Sequence, residues 1–96
     1  MADTAYTLTD DWDSDNRYTA AADVDVLVSI PGMERPDAIG RIAIIAGADT
    51  TPSITAAQGH PIKAGGSRAI ALKSGDRLWL ACSITGIVAT LGVLTP

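Results

Sequence analysis

The chain contains no phenylalanine, one cysteine, one histidine, and only two tryptophans and two tyrosines in 96 residues. Each scarcity excludes something. A lone Cys82 cannot close an intrachain disulfide, and without a Cys/His cluster there is no zinc-binding spacing. A lone His60, set between Gly59 and Pro61, would need a nucleophile beside it and a third group to orient it before it could drive acyl-transfer chemistry. Cys82 sits among alternating leucines, where a thiol is ordinarily inert packing. The expectation is a protein that is not an enzyme and carries no cofactor and no metal. Long apolar runs are also missing. The longest, residues 84–94, is broken by Thr85, Gly86, Thr90 and Gly92 and is far short of the roughly 20 residues that cross a bilayer. Met1–Thr4 lacks the basic and apolar regions of a secretory signal, so a chain made in soluble form in the cytosol is expected, with no membrane partner. The few basic residues have no aromatic platform beside them, which argues against nucleic acid as a partner.

What is present is small and aliphatic. Apolar residues make up 47% of the chain, mostly Ala, Ile, Val and Leu. Alanine removes little area from water, so the core is thin at about 25 cal/mol per Å². A domain of this size usually needs a further staple. With a disulfide and a zinc site excluded, oligomerisation or docking on a larger body is left. The net charge of −4 is unevenly spread. Residues 1–50 hold ten acids against Arg17, Arg35 and Arg41, whereas residues 51–96 hold only Asp76 against Lys63, Arg68, Lys73 and Arg77. Two readings fit: complementary faces that meet between subunits or on a partner, or two halves that interleave within one fold.

Alternation of apolar and polar residues predicts strands. Thr4–Thr9 is β-capable and reads as a first strand or an extended arm, followed by an acidic loop from Asp10 to Arg17. Val24, Val26, Val28 and Ile30 point one way and Asp23, Asp25 and Ser29 the other, with Leu27 out of place on the polar side. Pro31-Gly32 ends that strand. Residues 41–46 read as a strand closed by Gly47; a helix from Pro36-Asp37 is the alternative, opposed by Gly40 and the isoleucines. Ser53–Ala57 reads as a weak strand, Gly59-His60-Pro61 as a turn, and Ile62–Ala64 as extended up to Gly65-Gly66. Arg68–Leu72 and Arg77–Ser83 read as two strands of a hairpin turned by Lys73-Ser74-Gly75-Asp76. In the second of them Leu78, Leu80 and Cys82 face inward. Ile87–Leu94 is apolar on both faces, so both should be covered. The sum is an all-β fold, a small antiparallel β-sandwich of jelly-roll or immunoglobulin-like type, with residues 1–17 as an N-terminal arm and acidic loop and residues 18–96 as one domain.

Three clusters are candidate sites. Asp11-Trp12-Asp13-Ser14-Asp15-Asn16 opens like a calcium loop, but position 6 is Asn16 in place of glycine and position 12 is Ala22 in place of the bidentate glutamate. Tyr6, Leu8 and Trp12, with Asp11, Asp13 and Asp15 around them, would anchor the arm on a neighbouring surface. Trp79 shares a face with Arg77 and suits either a packed layer or an interface. Trp12 could also stack on a sugar, which keeps a carbohydrate- or calcium-binding module as a reading of another class.

From Ile62-Lys63-Ala64-Gly65-Gly66-Ser67 through Ile70-Ala71-Leu72-Lys73-Ser74-Gly75-Asp76-Arg77-Leu78-Trp79, the last third of the chain resembles small virion proteins of tailed bacteriophages. Those pair a glycine-rich turn with a strand, a Gly-Asp hairpin and an aromatic strand close to the C-terminus. The resemblance implies a virion location, assembled in the host cytoplasm. It also implies a role as a capsid decoration (cement) protein, or as a tail or head-spike component. The partner would be the major capsid protein or another virion protein, and the assembly a homo-oligomer, often a trimer.

Overall fold

A computed structural model describes residues 3–32, 35–47 and 50–94. Among these it contains eight strands: β1 (Asp3–Thr7), β2 (Arg17–Thr19), β3 (Val24–Ser29), β4 (Ile39–Ile45), β5 (His60–Lys63), β6 (Ser67–Leu72), β7 (Arg77–Cys82) and β8 (Val88–Val93). They form two four-stranded antiparallel sheets, sheet A in the order β1-β8-β3-β6 and sheet B in the order β2-β7-β4-β5. This is the strand order of the eight-stranded jelly roll. The β-sandwich expected from the alternation is therefore the fold observed.

The order has a simple origin. First pairs with last, second with seventh, third with sixth and fourth with fifth. Tyr6 lies opposite Ala89, Arg17 opposite Trp79, Val26 opposite Ile70 and Ile42 opposite His60. As one partner advances along the chain the other retreats, so the molecule is one long antiparallel ribbon folded at β4–β5 and rolled up. The ladder continues around the bends. Leu8 donates to Ile87 and accepts from Gly86; Ala20 donates to Asp76 and accepts from Gly75; Ile30 donates to Gly66 and accepts from Gly65. Leu8, Ala20 and Ile30 are all buried, and each faces a glycine with positive φ (99°, 92° and 80° for Gly86, Gly75 and Gly65). Each bend is thus made from an inward apolar residue on one side of the ribbon and a left-handed glycine on the other, a conformation that glycine adopts without steric cost.

Between the sheets lie Val26, Val28, Leu72, Leu78, Leu80, Cys82, Ala89 and Leu91, each at most 2% exposed. The 18 Å shortest dimension is two sheets about 10 Å apart plus their outward side chains. Rolling also decides the charge question within the chain. The acidic first half and the basic second half are paired strand by strand, so they interleave in a single fold.

Several expectations are corrected. The described part of the arm is not an arm: β1 pairs with β8 along its whole length and Leu8 is fully buried. Within the acidic segment Ser14–Asn16 forms a 3-10 turn, and Arg17–Thr19 is a strand. Residues 73–76 form a tight turn, with the Asp76 N–H donating to the Lys73 carbonyl, but β6 and β7 belong to different sheets and no hairpin results. Local turn chemistry fixes the reversal without saying whether the chain re-enters its own sheet. Ala56 and Ala57, expected at the end of a weak strand, lie instead in a 3-10 turn of residues 56–58. His60 and Pro61 begin β5, where the proline is tolerated because β5 is an edge strand. The outer face of β8 is open, with Val88 44% exposed.

Candidate functional site

Placed in this fold, the residues singled out in the sequence separate. Leu8 and Trp79 (0% and 2% exposed) are packing residues and present no side chain to a neighbour. Trp79 lies on the outward side of β7. There Arg17, directly opposite on β2, holds its guanidinium 5.4 Å from the indole centroid, a cation–π contact. Tyr6 is half-buried at the edge formed by β1. Burial, and to a smaller extent the nearby Tyr18, pushes its phenol above the ordinary tyrosine range. Trp12 is half-buried as well; its Nε1–H donates to the Ile54 carbonyl at 2.9 Å, and its ring lies against Gly59.

The acidic loop is occupied with its own backbone. Asp11 accepts from the Trp12 N–H at 2.8 Å, and Asp13 caps the 3-10 turn by accepting from the Asp15 N–H at 2.9 Å. Asp15 is exposed. One carboxylate oxygen of Asp11 and one of Asp13 therefore hold the turn. Among the described residues no three His, Cys, Asp or Glu side chains gather in a way that could hold a metal ion. His60 and Cys82 lie on opposite sides of β4, since β5 and β7 flank it. Two interstrand spacings put their backbones about 10 Å apart, too far for a nucleophile–base pair.

Two features that the sequence reading did not single out remain. The first is the outer face of sheet A. Register places Leu27 and Ser29 of β3, Ala69 and Ala71 of β6, and Val88 and Thr90 of β8 on the side away from the core. From these three strands only Asp25 adds a charge there. Small residues make the face flat, and Ala69, Ala71, Val88 and Thr90 are exposed. The signals were in the sequence: Leu27 on the polar side of its strand, and an apolar second face on β8. The second feature is a cleft of about 290 Å³ where the two sheets part, lined by Ile42, Ile44, His60, Arg68 and Ile70. Ile44 is 44% exposed in it. A smaller cleft of about 230 Å³ lies beside Asp10, Arg41 and Cys82. Comparison with protein-family models, with curated proteins and with solved structures finds no match to this chain.

Proposed function

We propose that the chain is a structural virion protein, a capsid decoration protein that docks a sheet on the outside of a phage head and stabilises the shell without catalysis. The observation that carries this reading is the outer face of sheet A, a flat and mostly apolar layer to which β3, β6 and β8 bring only the charge of Asp25, with Val88 exposed at 44%. A face of that kind suits sheet or loop packing against another chain, because charged residues are depleted at the centre of protein interfaces. The fold adds support by analogy, since jelly rolls recur in viral capsid and lectin domains. The likeness of residues 62–79 to small phage virion proteins points the same way. A tail or head-spike role is the closest competitor and uses the same face.

The anchors differ from those expected in the sequence. Leu27, Ala69 and Val88 take the place given to Leu8 and Trp79, while Tyr6 and Trp12 serve the domain's own edge and loops. The test is mass spectrometry and imaging of purified particles from the phage that encodes the chain. Density for this protein on the head surface is the expected result, and its presence only on the tail, or its absence from the particle, overturns the reading. Val88→Arg combined with Ala69→Arg should abolish association while leaving the β-type circular dichroism unchanged.

A further inference from the structure

Three of the four edge strands of the sandwich are protected in different ways. β2 is three residues long, β5 carries Pro61 and Lys63, and β6 points Arg68 inward at the rim of the cleft, devices that discourage strand addition. β4 is an internal strand only in part. β5 begins at His60 opposite Ile42, so among the described residues no strand pairs with β4 on that side beyond Ile42. Ala43, Ile44 and Ile45 form this uncovered stretch, and none is charged.

Backbone direction along β4 follows from its neighbours. The Ile39 carbonyl accepts from Ser83, on the β7 side, and the Ala38 carbonyl accepts from Ala64, on the β5 side. The side alternates with each residue of a strand. Even-numbered residues therefore turn their N–H and C=O towards β5, and Ile44 offers both groups to the position that β5 leaves empty. Its side chain faces the cleft, with Ile42 and Ile70 as apolar walls and Arg68 and His60 at the polar rim; among the described residues no acid lines the cleft.

We propose that the uncovered edge of β4 binds an extended, acidic peptide segment of a partner chain by strand addition. The segment would pair with Ala43–Ile45 through the Ile44 backbone, place an apolar side chain against Ile44 and Ile70, and set a carboxylate beside Arg68. Main-chain hydrogen bonds supply the attachment and the cleft supplies the selectivity, as in other cases of strand addition. Charge chooses the occupant: among the described residues the rim carries Arg68 and no acid, which favours an acidic segment over a basic one. The proposal stands independently of the virion reading, because any partner with such a segment satisfies it.

The test is a nuclear magnetic resonance titration of the isotopically labelled full chain with a capped peptide, Ser-Asp-Val-Ile-Val-Asp-Ser. Two controls are used: the same peptide with Lys in place of both Asp, and one with Pro in place of Ile. The acidic peptide should shift the Ile44 amide and the Ile44 and Ile70 methyl groups, and bind at least tenfold more tightly than the lysine peptide at low salt. The proline peptide should not bind. Arg68→Glu should reverse the preference between acidic and basic peptides, and Ile44→Lys should remove binding of both. Since Ile44 and Arg68 are exposed, neither substitution disturbs the core. Equal binding of the two charged peptides, shifts confined to other surfaces, or no shift with either peptide overturns the proposal. A concentration-dependent shift of the Ile44 amide in the free protein, lost in Ile44→Lys, would give this edge to a second copy and equally overturn it.

Discussion

At the scale of single residues the tightest constraint lies between Gly40 and Ile30. A Cβ on Gly40 would sit 2.6 Å from Ile30 Cδ1 and 2.7 Å from Cγ1, closer than carbon atoms tolerate. Gly40→Ala should therefore destabilise the domain by about 1–3 kcal/mol, the usual range for overpacking. Trimming the neighbour with Ile30→Val should recover part of that loss, so urea denaturation of the double-mutant cycle should give a favourable coupling energy. Tyr6 makes a second prediction. Its folded pKa is raised by burial, then by Tyr18, so its stabilising effect is fully present below the unfolded value of about 10 and is lost as pH rises through the folded one. Denaturation midpoints should fall between pH 9 and pH 11 by less in Tyr6→Phe than in the parent chain. Such residue roles were partly legible in the sequence. Cys82 among its leucines was read correctly as an inward residue, and it is 1% exposed. Leu8 is expected from the sequence to be a partner anchor and Trp79 either a packed or an interface residue, because a pattern of residues cannot tell an apolar side chain that meets its own core from one that meets another molecule.

At the scale of elements, longer strands rich in β-formers stood out, as β3, β4, β6, β7 and β8 did. β2 did not, because three residues behind an acidic loop carry no periodicity. In β5 only Ile62 and Lys63 were legible as extended; its start at His60 was hidden by Pro61, a turn signal that is also compatible with an edge strand. The first strand bears the sharpest prediction. An arm could be removed without harm, whereas β1 carries one edge of sheet A and leads into Leu8 at 0% exposure. Deleting residues 2–8 should abolish the cooperative unfolding transition. Leu8→Ala alone should cost about 2–5 kcal/mol, the range for truncating a buried leucine. A truncated chain that unfolds at the same urea concentration as the parent would restore the arm.

At the scale of the whole molecule, nearly every pairing except β4–β5 joins distant parts of the chain. Folding must close the longest loops before those contacts form, which places such topologies in the slow range of about milliseconds to seconds. Stopped-flow refolding followed by the fluorescence of Trp12 and Trp79 should fall there, and refolding in microseconds would contradict the rolled ribbon. The sandwich was legible from composition and alternation, but the roll was not, since the sequence marks where the chain reverses and leaves the choice of sheet to the packing of the whole. The same roll has a mechanical consequence. Asp3 lies opposite Gly92, so the two ends of the ribbon leave the molecule side by side at one corner. Tension applied between them opens the ladder like a zipper, one rung after another, first β1 from β8 and then onward around the bends, so that rungs fail singly and never share the load. A pull delivered across the broad face of sheet A would instead load many rungs together. A molecule built this way is weak when held by its ends and strong when held by its face.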